Sequence, residues 1–448
     1  MNRRELFQRF GGAVALNGLS LSAMSRMALA NSPSSGTSGI VDPEQYFVFV
    51  VFGGAWDPML ALDPRDPAVF TDAVIPETKI QTGYDLLGIG SDPRIQTPNM
   101  TFGPYIGNLS SMSEKLVLVR GMSMSSVGHS SATKHALTAR VPSGESVRGS
   151  SVATLLSSLL GEENEIANLV VGTDSYNVEH PVWSSGFQSS NVDDFHAALS
   201  EGNVSLSDSQ NDALYQFFER ERRNNTISRF DTMYANRESA QLLLESGTSA
   251  LFDLDSPDLG DLKQYFGVGN GITGSESENA LMAYQALTNG VSRCVTYKAA
   301  GGLDSHNGDD WQTQHGPRLQ NGFNSVAALA TLLEDTPHPS GGNWLSRTTI
   351  WCMSEFQRNP LLNNNFGRDH YITNSALLLG GGLVGGRVIG ATSDQKMSSQ
   401  KVDLATGTVD NDNGVYISHE HIARTLLYRL GVEDDLGDYR EPPITALL

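Results

Sequence analysis

Six short, nearly unbroken apolar runs recur along the chain, each bounded by glycine or polar clusters. They are Tyr46–Phe52, Lys115–Arg120, Asn168–Val171, Arg293–Lys298, Thr348–Met353 and Ala376–Leu379. Runs of this length, rich in Val, Ile, Leu and Phe without polar alternation, predict strands buried on both faces. Between them lie segments of helical period: Ser150–Leu160, Glu276–Thr288, Leu319–Leu333 and Glu420–Leu430. Alternation of the two predicts an α/β fold, a mostly parallel sheet sandwiched by helices. The only long break is about 190–262, where charged, helix-rich sequence such as Asp208–Arg223 and Phe230–Leu244 carries no convincing strand. That stretch reads as a helical insertion, with Leu214, Phe217 and Phe218 packed against the sheet domain.

The first thirty residues read as a targeting segment. Arg3-Arg4 is followed by Leu6 and Phe7, then by a weakly apolar stretch from Phe10 to Met24, and Ala28-Leu29-Ala30 supplies a small-x-small cleavage site. This pattern predicts a twin-arginine signal peptide over 1–30, engagement of the twin-arginine export machinery, and a mature chain starting at Asn31. Residues 31–44 read as a flexible Ser/Gly-rich leader, and folded structure is expected over 45–448. No later run approaches the roughly 18 apolar residues needed to span a bilayer, so no stable membrane anchor is expected. The expected location is the periplasm or outside the cell. Fifty acidic residues against 30 basic ones give a formal charge of −20. That balance disfavours nucleic acid and anionic lipid, whose binding depends on neutralising phosphates.

In an open parallel sheet, ligands gather beyond the carboxyl ends of the strands. Polar residues just after the apolar runs are therefore the candidates: Asp57 after Gly53-Gly54; His129 and Ser130 after the second run; Asp304 and His306 in Gly301-Gly302-Leu303-Asp304-Ser305-His306; Glu355; and Asp369-His370. Imidazole with carboxylate suits a divalent metal such as Zn or Mn, and carboxylates alone suit Ca or Mg. Glu355 follows Ile350-Trp351-Cys352-Met353, where a carboxylate is costly unless it meets a metal or an arginine such as Arg358 or Arg368.

Three other patterns read as structural. Gly380-Gly381-Gly382-Leu383-Val384-Gly385 fits a dinucleotide fingerprint, but β-like sequence follows where a helix is required, which favours a Gly-rich hairpin. His419-Glu420-His421 sits at a helix start after Ser418, with side chains expected in solvent. Cys294 and Cys352 read as small buried hydrophobes inside strands, with an interstrand disulfide the lesser alternative.

Ser354-Glu355-Phe356-Gln357-Arg358-Asn359-Pro360, Asn363, Gly367-Arg368-Asp369-His370 and the glycine-rich Leu379–Gly390 stretch together resemble the carboxyl-terminal signature of the family called domain of unknown function 1501. Gly301–His306 resembles its G-G-W-D-T-H. The resemblance implies an alkaline phosphatase/sulfatase-like α/β fold with a metal site at the strand ends serving phosphate or sulfate ester hydrolysis. It implies Asp57, Asp304, His306, Glu355, Asp369 and His370 as metal ligands. Leu137-Thr138-Ala139-Arg140 is similar to the L-T-G-R that follows a sulfatase nucleophile, and counting back by that spacing lands near His129, with Ser130 and Ser131 next to it. His129 is expected to line the pocket, with water as nucleophile.

The sequence therefore leads to an exported metal-dependent hydrolase acting on a small or polymeric phosphate or sulfate ester. The alternative is a non-catalytic envelope or secreted protein that keeps the fold for binding. The export reading has a direct check: replacing Arg3 and Arg4 by lysine should leave the precursor in the cytoplasm, and amino-terminal sequencing of the exported wild type should begin at Asn31.

Overall fold

The computed structural model describes residues 42–200, 246–269, 275–432 and 438–448, with single positions at 209, 213, 216, 220 and 243. The expected signal segment, most of the expected leader, most of the expected helices Asp208–Arg223 and Phe230–Leu244, and the Leu214, Phe217 and Phe218 stripe lie outside the described residues. The described flanks of the insertion are short helices, Val192–Leu199 and Gly260–Phe266, with 3-10 turns between them.

Eight strands form one sheet: β1 (Tyr46–Phe52), β2 (Leu116–Ser123), β3 (Asn168–Val171), β4 (Phe187–Ser189), β5 (Cys294–Ala300), β6 (Thr348–Met353), β7 (Thr373–Gly380) and β8 (Arg387–Ile389). Their order is β8-β2-β7-β6-β1-β5-β3-β4. All pairings are parallel except those of β7, which runs antiparallel to both β2 and β6. Helices α1 (His129–Thr138), α2 (Val152–Leu160), α3 (Ser275–Thr288), α4 (Gly316–Asp335) and α5 (His419–Arg429) cover both faces.

The apolar runs explain this layering. In β1, Tyr46, Val48, Val50 and Phe52 face the core built with α3 and α4. Phe47, Phe49 and Val51 face the opposite core with α1, α2 and α5. Every β1 side chain is buried, and at about 1.5–3 kcal/mol for each large apolar side chain this strand anchors both layers.

The cysteines lie on opposite sheet faces, Cys352 in one core and Cys294 in the other, and both are free thiols. The glycine-rich segment after β7 is not a hairpin. The chain crosses β2 and adds β8 parallel to it on the far side, with Val388 opposite Leu118. The His419 and His421 rings are not solvated either. Ser418 does start α5, in a capping box with His421, but both imidazoles are buried because α5 lays its first turn onto the sheet. His419 packs against Trp351 and His135, and neither of its ring nitrogens has a partner. Among the described residues no helix is long and apolar enough to cross a membrane.

Burial sets a stability consequence. It lowers His135 and His421 to about 4, His315 to about 3 and His419 well below the usual imidazole value. The unfolded chain therefore binds protons below about pH 6.5 that the folded chain refuses. Stability is full above that pH and falls toward pH 4 by about 1.4 kcal/mol per pH unit for each such histidine. His129, which shifts upward, opposes this with a single proton. Urea midpoints measured between pH 7 and 5 should fall with acid, and His419→Leu should flatten that slope by about one proton.

Candidate metal centre

The topology delivers residues from five strands to one end of the sheet. β1, β2, β5 and β6 all finish there, and β7, running the other way, starts there, with Thr373 opposite Ser123 of β2. Asp304 and His306 follow β5, Glu355 and Arg358 follow β6, His129 opens α1 after β2, and His370 lies just before β7.

Two glycines let these segments meet. Gly54, at φ 106°, approaches the chain after β5 so closely that a Cβ would stand 2.6 Å from the Leu303 nitrogen and 2.7 Å from that of Asp304. At Gly367 a Cβ would stand 2.2 Å from the carbonyl carbon of His306. Any larger residue at either position would push Asp304 or His306 away.

Three imidazoles converge on the Asp304 carboxylate. Its Oδ1 lies 3.1 Å from His306 Nε2, 3.2 Å from His129 Nε2 and 3.3 Å from His370 Nε2. The far nitrogen of each ring is held by an acceptor: His306 Nδ1 by Asp369 at 2.7 Å, His370 Nδ1 by the Val127 carbonyl at 2.7 Å, and His129 Nδ1 by Glu355 at 2.9 Å. An acceptor on Nδ1 places the proton there and leaves Nε2 bare in the neutral ring. Three lone pairs and a carboxylate oxygen therefore face one another, with His306 Nε2 and His370 Nε2 only 3.0 Å apart. His129 Nε2 has no hydrogen-bonded partner. In that tautomer the set is repulsive unless a ring takes a second proton or a cation enters, and imidazoles braced by carboxylate or carbonyl are how metal sites fix ligand tautomers. The donor atoms of His129, Asp304 and His370 all lie within 4.8 Å of one another, a grouping able to hold a metal ion. His306 joins it through Asp304 and His370.

Arg358 supplies the positive charge in the protein itself. It is fully buried and donates to Asp304 and to the carbonyls of Gly54, Ala55 and Arg368. Burial would raise the Asp304 carboxyl, but Arg358, with His370 and His129, holds it well below the carboxylate range. The Glu355 hydrogen bond raises His129, and burial lowers His370. Hydrogen bonds from Asn363 and His306 keep Asp369 ionised.

The remaining sequence candidates lie elsewhere. Glu355 stands behind His129, its Oε1 also accepting the Gly54 N–H at 2.7 Å. Asp369 stands behind His306. Neither Arg358 nor Arg368 is bonded to Glu355. Asp57 is fully buried and its oxygens are committed: Oδ2 to the Trp311 indole N–H and, at 2.8 Å, to Arg368, and Oδ1 to the Met59 N–H. It braces the site from below, which corrects its expected place among the ligands. The Ser130 hydroxyl donates to Glu145 and accepts from Lys134, away from the cluster. Helix α1 has Gly128 as its N-cap, without a side-chain cap, so His129 is free to point at Asp304. Sequence reasoning passed over the Val127 carbonyl, because backbone acceptors leave no trace in residue type.

A search of curated proteins finds no match. Among solved structures, a chain from the crystal structure of Ps i-CgsB in complex with k-i-k-neocarrahexaose is similar over 89% of this chain and 75% of that one, at 12% identity and a TM-score of 0.35. That score carries no argument about fold or activity. The model of the family described as protein of unknown function (DUF1501) matches residues 46–433, and the chain belongs to that family.

Proposed function

We propose that this protein is an exported, metal-dependent hydrolase of phosphate or sulfate esters, with an alkaline phosphatase/sulfatase-like fold, working in the periplasm or outside the cell. The reading rests on one observation above all: three oriented imidazoles and Asp304 turn their lone pairs toward a common point beside a buried arginine. Of the four groups that meet there, Asp304, His306 and His370, with donor atoms 3.0–3.3 Å apart, are assigned to the cation and His129 to proton transfer, and imidazole donors favour Zn over Ca, Mg or Mn. A cation bound there would act as a Lewis acid toward an anionic ester oxygen and make a water more acidic.

The chain's own residues supply the rest. Arg358 balances the charge of the phosphoryl or sulfuryl oxygens. His129, fixed by Glu355, takes a proton at Nε2 from the attacking water. The new bond forms from water oxygen to phosphorus or sulfur, the ester bond breaks, and the leaving oxygen is protonated to the alcohol, giving free phosphate or sulfate. Asp369 and Glu355 keep the imidazoles in the required tautomer. Water is the nucleophile in this account because the Ser130 hydroxyl is tied to Glu145 and Lys134. The same commitment favours a second reading, a non-catalytic envelope or secreted binding protein that retains the metal.

Turnover of chromogenic phosphate and sulfate esters by metal-loaded protein decides between them. His129→Gln should lower kcat by about 10²- to 10⁴-fold while keeping the metal. Asp304→Ala should lose the metal by elemental analysis, and Ser130→Ala should keep both metal and turnover. A phosphoryl or sulfuryl group found on Ser130 or Ser131 by mass spectrometry would replace water with a side-chain nucleophile. Absence of turnover across both ester classes would leave the binding reading.

A further inference from the structure

Phe366 occupies a position that stability alone would give to another residue. Its backbone is left-handed, at φ 59°, and its side chain is 59% exposed. Left-handed backbone is the province of Gly and Asn, and a bulky aromatic there is strained. Asn363, Asn364 and Asn365 precede it and Gly367 follows, so residues suited to this conformation lie on either side. The ring also forgoes the burial that usually keeps a phenylalanine in a fold.

The turn carrying it is pinned to the candidate site. Phe366 pairs with Asn307, the residue after His306. The Gly308 N–H donates to the Asn365 carbonyl at 2.8 Å, the Phe366 N–H to the Asn363 carbonyl at 3.0 Å, and the Asn363 amide to both the His306 carbonyl and Asp369. Gly367 packs directly on His306. Two further exposed apolar residues are attached to the same end of the sheet. Val127 is 37% exposed and its carbonyl holds His370; Ile372 is 51% exposed, two residues past His370, and its carbonyl accepts the Met124 N–H. Three exposed apolar residues thus belong to the backbone segments that hold the centre, the largest of them in strained backbone. Backbone strain of this kind clusters at ligand-contact and catalytic positions.

We infer that Phe366, with Val127 and Ile372, forms an aromatic subsite that takes the aryl part of an anionic monoester, making aryl esters the preferred substrate class. The inference rests on the hydrolase reading for the word substrate, while the subsite itself is a matter of binding. The anionic end meets the cation site, with the buried Arg358 charge behind Asp304, and the aryl face meets Phe366.

Calorimetric binding of phenylphosphonate and methylphosphonate to the metal-loaded full chain tests it without requiring turnover. The wild type should bind the phenyl compound roughly ten-fold more tightly, the size of one aromatic contact. Phe366→Gly removes the ring and relieves the backbone, so its melting temperature should not fall, and the preference should shrink to about two-fold or less. Phe366→Trp should retain it. If Phe366→Gly keeps the full preference, the inference is overturned whatever the enzyme does to esters. A Phe366-dependent preference in a protein that hydrolyses no ester upholds the subsite and removes the hydrolase reading. Wild type that binds neither phosphonate overturns both.

Discussion

The buried pair of Asp57 and Arg368 holds the working end of this protein together. Both side chains are fully withdrawn from solvent, and each is bound to a different part of the chain. Asp57 belongs to the loop after β1 and also accepts the indole N–H of Trp311, from the π-helical turn that precedes α4. Arg368 lies over the Trp311 ring and donates to the carbonyls of Gln81, Thr82 and Asn359. His315, from the same π turn, accepts the Asp57 N–H and meets the Ser305 hydroxyl. Removing one partner from such a pair leaves an uncompensated buried charge at a cost of about 3–5 kcal/mol. The pair therefore fixes where the 304–306 and 367–370 segments lie before any ligand is considered.

Above that platform Glu355, Asp369 and the Val127 carbonyl each hold the Nδ1 of one imidazole, His129, His306 and His370 in turn. Bracing of this kind is how a protein holds donor atoms near one another against their mutual repulsion. Folding strength, supplied by two apolar cores, is spent on an arrangement that is unfavourable by itself.

Much of this was legible in the sequence because burial leaves a plain signature in residue type. Strands β1, β3 and β6 coincide with apolar runs end to end; β2 and β5 start one residue later than theirs and run past the ends, and β7 extends its run on both sides. The three-residue edge strands β4 and β8 carry too little pattern to be read. The direction of β7 is equally invisible, since antiparallel and parallel buried strands are built from the same residues. At the site, Asp304, His306 and His370 could be picked out by type and by position near strand ends. Which carboxylate faces a ligand and which stands behind a histidine could not: Asp57, Asp304, Glu355 and Asp369 are alike on paper and differ only in what lies within 3 Å of them. The burial of His419 and His421 was missed because polar residues at a helix start usually face water, and here the first turn of α5 lies on Trp351.

The position of β1 in the sheet bears on how the chain is made. It leaves the ribosome first of the eight strands, yet its two neighbours, β5 and β6, end at Ala300 and Met353. At about 5–20 residues per second, β1 waits roughly 15–60 s after its own synthesis for its second partner. Until β5 is made the segment Tyr-Phe-Val-Phe-Val-Val-Phe is an uncharged, proline-free strand with both edges open, and until β6 is made one edge stays open, in the composition that most readily pairs with other chains. Nascent chains of this protein thus carry an unpaired, aggregation-prone strand for longer than a fold with its central strand late in the sequence would.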